Sequence, residues 1–449
     1  MWRLLFVPLL TMGCVSTVEL RPLDAESELR DTWTREPPET GETISSLAGL
    51  VEAPRLGALV QRALAGNPDL TETSLRLRES GVLLDVTRSR RLPEIETALS
   101  QSRGNSAVAR SASSSTALGV TLSWEVDVWG RLANQVSEAE MRHRALEEDL
   151  RSARNSLAAR TLQAGLSRVL RSRQLEVERR RAASLESTLE AVRERYRSGL
   201  GAVTDWDASR SELAASEAEI ERLEEAVRSA DRDLSLLLGD LGLEPGQLPQ
   251  RLPEVGRPPA PMPAEVLSTR PDVAAALARL EAEGVAVQVA RKTLLPSFRL
   301  GAGLDLSAPR PGDVLKSDPV WSVLGNLLAP LLDRRALNAE FQAAQLRAQA
   351  AVIAYRGVLL AAVVEVEEAL GTEYALTHRI PHLETAMEHA ERSRSSFEGQ
   401  FVRGLADILD LLAAQRTAFD SELRLLEARF DLLRNRIELG LALGLEAVE

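Results

Sequence analysis

One stretch of 69 residues, Arg131 to Gly199, limits the possible folds of this chain more than any other, because it contains no proline and a single internal glycine, Gly165. Alanine, leucine, arginine and glutamate dominate it, and all four favour helix. One helix of that length would extend for roughly 100 Å at about 1.5 Å per residue. Mostly apolar positions recur in alternating steps of four and three residues, the spacing of a coiled coil. These positions are Leu132, Val136, Ala139, His143, Leu146, Leu150, Ala153 and Leu157.

The composition narrows the class of protein. The chain has 449 residues, of which 44% are hydrophobic, 27% charged and 4% aromatic, and its net charge is −12. An acidic chain without a basic cluster is not expected to bind nucleic acid. No run of about 20 apolar residues follows the N-terminus, so we predict no membrane-spanning helix. Membrane-spanning strands are compatible with this composition, because alternating residues keep the mean hydropathy near zero.

The N-terminus has the features of an exported protein. Residues 1–13 are predicted to be a short signal peptide with an apolar centre. Cys14, the only cysteine, follows at a site that resembles bacterial lipoprotein cleavage sites, although Thr11 and Met12 depart from the usual pattern. We predict that Cys14 is lipidated; the alternative is an ordinary signal peptide followed by an incidental cysteine. Residues 14–54 are predicted to form an extended, acidic strap rather than a domain.

A different periodicity precedes the long helix. Apolar residues alternate with small or polar ones, which is typical of a strand with one apolar face. Together with a weaker alternation over 94–104 and a Ser- and Ala-rich loop at 105–115, this predicts a β-hairpin. After the long helix, Gly199-Leu200-Gly201 marks a turn, and a second helix is predicted from Asp205 to Leu238. The alternating apolar residues are Leu118, Val120, Leu122, Trp124 and Val126.

The chain contains two copies of one sequence repeat. Asn67-Pro68-Asp69 and Arg270-Pro271-Asp272 match at an offset of 203 residues (271 − 68), and Leu92-Pro93 matches Leu295-Pro296 at the same offset. Later in the repeat the offset becomes 205 (404 − 199), and the matching pairs are Gly199 and Gly404, Asp205 and Asp410, and Gly239 and Gly444. Each repeat is predicted to contain a helix, a β-hairpin, a long helix and a shorter helix.

The fold class that follows is mainly α with a β part. In the second copy the long helix, from Arg334 to Arg403, contains Pro381, where we predict a kink or a local break. The predicted boundaries are the signal peptide 1–13, the strap 14–54, the first repeat 55–239 with its hairpin 93–127 and helical part 131–238, the proline-rich linker 240–266, the second repeat 267–444 with its hairpin 296–330 and helical part 334–443, and a C-terminal tail 445–449.

Four predicted strands per chain are too few to close a membrane barrel. Strands of about ten residues have the length that crosses a bilayer when tilted. An open sheet edge is excluded from lipid, since each unpaired backbone group costs several kcal/mol there. The smallest transmembrane barrels need about eight strands. A membrane barrel would therefore require several copies of the chain. Within each copy, two half-length helices stacked end to end would line one long helix.

Four segments, in this order and within a duplicated chain, carry a resemblance to a known family. They are Trp124–Arg131 (WEVDVWGR), Arg195–Leu200 (RYRSGL), Arg270–Val273 (RPDV) after the proline-rich linker, and Gly404–Asp410 (GLADILD). The chain resembles the TolC/OprM family of outer-membrane efflux proteins, in its NodT-type lipoprotein subgroup, from about residue 20 to residue 444.

This resemblance implies a homotrimer in which a transmembrane 12-stranded β-barrel is continued by a periplasmic α-helical barrel. Such a duct would lie in the bacterial outer membrane, lipid-anchored and extending into the periplasm. It would be the passive exit for small molecules such as drugs, which an inner-membrane transporter expels through a periplasmic adaptor, also called a membrane fusion protein.

The resemblance also implies roles for particular residues. The hairpin tips, Gly199-Leu200-Gly201 and Gly404-Leu405, would contact the adaptor. Asp407 and Asp410 match the paired aspartates that ring the closed periplasmic mouth of these channels, and Asp205 is the equivalent of Asp410 in the first repeat. The alternative is that these carboxylates only cap the helices that follow them.

Other functions have weaker support. His378, His382 and His389 invite a metal site, but surface histidines are the simpler interpretation, with Pro381 disturbing their spacing. No phosphate-binding loop, nucleophile motif or dinucleotide fingerprint is present, so neither enzyme activity nor a cofactor is expected. Three alternatives to drug efflux stay open. The first is efflux of metal ions, against which the five methionines and four histidines argue weakly. The others are the duct of a type I protein secretion system and, from a different class, a periplasmic coiled-coil scaffold without a pore.

Overall fold

The computed structural model describes residues 32–34, 46–106, 111–241, 248–258, 266 and 269–448. Cys14, the predicted signal peptide and most of the predicted strap lie outside these residues. The described helices are α1 (Pro54–Gly66), α2 (Pro68–Ser89), α3 (Arg131–Arg197), α4 (Val203–Leu238), α5 (Pro271–Thr293), α6 (Arg334–Val402) and α7 (Ile408–Ala442). The strands are β1 (Glu94–Ser106), β2 (Ser111–Val126), β3 (Ser297–Ala308) and β4 (Val320–Leu328), with a short 3₁₀ helix, Pro311–Lys316, before β4. The predicted mainly α class with a β part is confirmed.

Within the described residues the strands form one antiparallel sheet in the order β1-β2-β3-β4. The register places Leu122 between Ile95 and Ala302, and Leu304 between Val120 and Trp321. Apolar residues therefore predominate on one face of the sheet, and the other face carries mostly small, polar and charged residues. The apolar face comprises Ile95, Leu118, Val120, Leu122, Trp124, Phe298, Leu300, Leu304, Trp321 and Leu327.

The polar loop predicted at 105–115 is mostly strand. β1 continues to Ser106 and β2 begins at Ser111, and these two residues are paired across the hairpin. A segment rich in serine and alanine predicts a loop, because its residues have little intrinsic preference for strand. Extension of an existing antiparallel ladder satisfies the backbone groups of this segment, which explains why the ladder overrides the weak local preference.

The chain divides into two compact units. The first contains residues 84–141 and 279–354, which include the sheet. The second contains the described residues of 29–83, 142–278 and 355–449, which are mostly helical. The largest core cluster of the second unit joins α1, α3, α4 and α7, with Leu56, Leu162, Leu234 and Ile437 almost fully buried. Ala447, beyond the end of α7, belongs to the same core.

The second unit also holds one described piece of the N-terminal segment. The Trp33 side chain is buried against Val366, Leu370 and Leu439. The backbone N–H and the hydroxyl of Thr34 both donate to Oε1 of Glu367, at 2.8 and 2.9 Å. This segment is therefore held on α6 and α7.

Each repeat joins its two shorter helices end to end in the same way. Asn67, just before α2, donates from Nδ2 to the carbonyl of Leu237 at the end of α4, at 3.0 Å. Its equivalent, Arg270, donates from Nη1 to the carbonyl of Ala442 at the end of α7, at 2.9 Å. In each case the residue before a helix satisfies a terminal carbonyl of another helix, which has no partner within its own helix. The predicted stacking of half-length helices is present at both junctions.

The kink or break predicted at Pro381 is wrong as far as a break is concerned, because α6 is continuous from Arg334 to Val402. A proline inside a helix removes one hydrogen bond, here to the carbonyl of Thr377. Pro381 lies on the exposed face of α6, where water can satisfy that carbonyl, while Leu376 on the buried face keeps its packing. The loss is one hydrogen bond and not the packing of the helix.

Helix α6 contains an apolar stretch that the absence of an unbroken apolar run in the sequence does not indicate. Among the described residues this helix is long and apolar enough to cross a membrane by length and composition, with an 18-residue window of mean hydropathy 1.6. Only 17% of that window is buried within the chain. The window was missed because charged residues interrupt it. Most of this window is therefore an apolar surface of α6 that other described residues of the chain do not bury.

Candidate functional site

The two helix hairpins of the second unit end in the same turn. After α3, the N–H of Gly199 donates to the carbonyl of Tyr196 at 3.0 Å, and that of Leu200 to Arg195 at 2.9 Å. After α6, Gly404 and Leu405 repeat this pattern, at 2.9 Å each, with Phe401 and Gln400 as acceptors. Both glycines have a left-handed φ, 75° and 74°. This pair of bonds closes the last helical turn, and the left-handed residue favours glycine.

Each turn presents an apolar side chain to solvent. Leu200 is 73% exposed and Leu405 is 71% exposed, and the neighbouring Val203, Val402 and Leu409 are exposed as well. Gly201 is more restricted, because an added Cβ would lie 3.2 Å from the backbone nitrogen of Tyr196. The predicted tip residues therefore form two similar turns that leave their leucines largely exposed.

The structure brings the two tips together. The guanidinium of Arg195 lies 5.0 Å from the centre of the Phe401 ring, and Nη1 donates to the carbonyl of Phe401 at 3.4 Å. A cation over an aromatic face is stabilising by about 0.5–2 kcal/mol. A small core lies behind the tips, formed by Leu185, Val192, Phe401, Ile408, Leu411 and Leu412. The two hairpin ends are thus one packed structure.

The three candidate gate carboxylates differ in their local roles. Asp407 is the N-cap of α7 and accepts a hydrogen bond from the N–H of Leu409 at 3.3 Å. Asp205, in the first turn of α4, accepts from the N–H of Ala202 at 3.3 Å. Asp410 is exposed in the first turn of α7, and no hydrogen bond or ion pair joins its carboxylate to other described residues. Capping accounts for Asp407 and Asp205 but not for Asp410.

Sequence reasoning missed the polar contacts between the hairpins. Gln415, which is almost fully buried on α7, donates from Nε2 to the hydroxyls of Ser184 and Thr188 on α3, at 3.1 and 3.0 Å. Arg180 on α3 forms an ion pair with Glu422 on α7 at 2.5 Å. The only available signal was polar residues at positions of the heptad pattern, and those do not identify their partners.

Other candidate sites gain no support from the described residues. No group of three or more His, Cys, Asp and Glu side chains there could hold a metal ion. The ring of His378 contacts that of Tyr374 at 4.1 Å between centres, and its Nδ1 lies 2.8 Å from the carbonyl of Tyr374. Cys14 lies outside the residues that the structure describes.

The chain matches one protein family over both repeats. The model of the family described as outer membrane efflux protein matches residues 59–240 and 262–445. This match spans the strands, the long helices and both hairpin tips.

Two related proteins and one solved structure are similar to most of the chain. The pyoverdine export outer membrane protein OpmQ of Pseudomonas aeruginosa is 28% identical over 408 residues, covering 87% of this chain and 85% of OpmQ. The probable outer membrane lipoprotein SilC of Salmonella typhimurium is 23% identical over 395 residues, covering 87% and 86%. The solved outer-membrane channel OprN is similar with a TM-score of 0.85 and 25% identity, covering 93% of this chain and 96% of that one.

Proposed function

The chain belongs to the outer membrane efflux protein family and is an outer-membrane efflux channel, and we propose that it is the homotrimeric exit duct of a tripartite system for small molecules. An inner-membrane transporter and a periplasmic adaptor would complete the system. The observation that carries this proposal is the family match over both repeats combined with a sheet whose two edges are open. A periplasmic coiled-coil scaffold without a pore would not need such a sheet.

The open edges support assembly into a trimer. In the described part of the chain, the outer edges of β1 and β4 pair with no strand. Unpaired edges are excluded from lipid, and three copies of four strands would close a 12-stranded barrel. Exposed apolar side chains on α2 and α6 would be covered by neighbouring copies. They include Leu75, Val82 and Leu83 on α2 and Leu346, Ile353, Leu360 and Val364 on α6.

Asp407 and Asp410 are proposed to close the periplasmic mouth. Three copies would bring six carboxylates together, which would attract cations and repel one another. Asp205 is proposed to contribute less, because Ala202 stands where the second repeat has Asp407, so the first repeat has no pair of aspartates. The exposed Leu200 and Leu405, on the turns set by Gly199, Gly201 and Gly404, are proposed to dock the adaptor.

The double variant Asp407→Asn/Asp410→Asn separates a gate from a cap. Asparagine is as good an N-cap as aspartate, so the helix start is kept while six charges are removed from the proposed trimer. We expect the conductance of the purified protein in planar bilayers to rise severalfold and its preference for cations to fall.

Asp431→Asn is the matched control, because Asp431 lies on the same helix α7, far from the tip, beside Arg434. Its conductance is expected to equal that of the wild type. If the double variant and this control gave the same conductance and selectivity, the carboxylates would be helix caps only. If neither the wild type nor any variant conducted, the proposal that the protein is a duct would be contradicted.

Cys14 is proposed to carry the lipid anchor. Cells grown with radioactive palmitate are expected to label the wild-type protein, and the variant Cys14→Ser is expected to lose all label because it has no other cysteine. An acyl chain on this cysteine would hold the protein at the membrane, because each buried CH₂ group of the acyl chain contributes about 0.8 kcal/mol to membrane binding. Label that persists in the serine variant would contradict the assignment.

A further inference from the structure

The end of the sheet from which the helices continue, here called the foot, has an apolar surface that extends beyond the strands. It is the end where β1 and β3 begin and where β2 and β4 end. Leu332 after β4 is 97% exposed, and Trp129 after β2 is 48% exposed although its indole N–H donates to the carbonyl of Pro296 at 2.7 Å. The exposed apolar residues of the foot are Leu92, Val128, Trp129, Leu295, Leu331 and Leu332.

A cleft of about 400 Å³ opens within this foot. Apolar side chains, including Trp129, Phe298 and Leu337, form most of its lining. The charged residues of the lining are Glu125, Asp127, Arg131, Lys292 and Arg299. A cleft with an apolar wall and a few charges suits a ligand with an apolar body and a charged group.

Four of the five charged groups are already occupied. Glu125 forms ion pairs with Arg131 at 2.5 Å and with Arg299 at 3.9 Å. Asp127 accepts from the N–H groups of Leu132 and Ala133 at the start of α3, at 3.0 and 2.7 Å. Lys292 is the remaining charge of the cleft.

The ammonium of Lys292 is held by a neutral group. Its Nζ donates to the carbonyl of Gly130 at 3.1 Å, and within the described residues no carboxylate pairs with it. Gly130 has a φ of +69°, and a Cβ at this position would lie 3.2 Å from Nζ. Glycine therefore allows the turn and the close approach of the amine. A lysine ammonium has three N–H donors, so two remain for a ligand.

We propose that this cleft binds the phosphate group of a glycerophospholipid, with Lys292 donating to the phosphate oxygens. Two observations favour a membrane lipid over a free anion: the apolar lining, which includes Phe298 from the apolar face of the sheet, and the exposed leucines and tryptophan beside the cleft. Tryptophan at the level of lipid headgroups is typical of membrane-spanning barrels. The inference rests on the outer-membrane location of the proposed duct and adds a specific lipid contact at its periplasmic side.

Lysine substitutions give a direct test, because Lys292 and Lys316 are the only lysines in the chain. The affinity of the full-length, detergent-solubilised protein for dioleoyl phosphatidylglycerol is measured by native mass spectrometry. Lys292→Met is expected to weaken binding about tenfold, the loss of one charge-assisted contact, and Lys292→Arg to restore most of it. Lys316→Met is the control, since Lys316 lies beyond the other end of the sheet beside Asp313.

Equal affinity of the wild type and Lys292→Met, with the same oligomeric state by size-exclusion chromatography, would overturn the inference. Displacement of the lipid by millimolar inorganic phosphate would also overturn it, because the cleft would then be a site for free phosphate. The conductance of the same proteins in planar bilayers keeps the two proposals apart. A conducting wild type whose lipid affinity does not depend on Lys292 contradicts the lipid site alone, whereas an absence of conductance contradicts the duct.

Discussion

Replacing Arg270 by alanine is expected to lower the free energy of unfolding of the helical unit by about 3 kcal/mol. The Arg270 side chain is only 7% exposed and donates to both carboxylate oxygens of Asp272, at 3.0 and 2.6 Å. It also reaches Glu365 at 2.7 Å and the carbonyl of Ala442 at 2.9 Å. Alanine would remove the only cation of this group and leave the end of α7 without its donor, and a buried group that loses its partner is costly.

The comparison with an exposed arginine makes this prediction specific. Arg151 forms ion pairs with Glu148 and Glu446, at 2.8 and 3.0 Å, but its side chain is 49% exposed. Exposed pairs contribute about 0–1 kcal/mol each, so Arg151→Ala is expected to have a small effect. Urea denaturation of both variants in detergent, followed by the helical circular dichroism signal, measures the difference. Similar losses in the two variants would contradict the assigned role of Arg270.

The same contact predicts how stability depends on pH. Burial, the largest influence on Asp272, acts to raise its pKa, but the hydrogen bonds and charge of Arg270 outweigh burial and bring the pKa below its ordinary value of 3.8. A carboxyl whose folded pKa is depressed stabilises the fold above its unfolded pKa, and this contribution is lost as the pH falls through the folded pKa. Wild-type stability is therefore expected to fall more steeply below about pH 4 than that of Arg270→Ala.

The duplication could be predicted from sequence because it needs only matching letters at a fixed offset. Asn67 and Arg270 were recognised as equivalent in this way. Their partners, the carbonyls of Leu237 and Ala442, lie 170 and 172 residues away in the chain. No local pattern contains contacts at that separation. The heptad spacing predicted that the helices pack, but which ends meet depends on tertiary structure.

The candidate gate shows a second limit of prediction from sequence. The helix-cap alternative for Asp407 could be stated from its position before an apolar helix, and the structure places it at the N-cap. A ring of carboxylates is a property of several copies, so a single chain does not contain it. The cleft beside Lys292 could not be predicted for a related reason, because Gly130 and Lys292 belong to different repeats and the pairing of β2 with β3 brings them together.

Replacing Gly239 by alanine is expected to cost about 3–4 kcal/mol of stability, whereas the same change at Gly199 should cost about 1 kcal/mol. Both glycines have left-handed φ values, 73° and 75°, so the conformational penalty for alanine is shared. Their surroundings differ. A Cβ at Gly239 would lie 2.1 Å from the carbonyl oxygen of Gly66 and 3.2 Å from Cδ of Pro68. At Gly199 nothing lies within 4 Å.

The clash at Gly239 is with backbone at the junction of α4 and α2, so no side-chain rotation relieves it. The junction must open, which also strains the bond from Asn67 to Leu237. Urea midpoints of the two variants, measured in the same detergent, give the difference in unfolding free energy, and Gly404→Ala provides a second open-space control with a φ of 74°. The expected order is a large loss for Gly239→Ala and small, similar losses for the two tip variants. If all three losses were equal, the left-handed conformation alone would set the cost, and the two half-length helices would not be in tight contact.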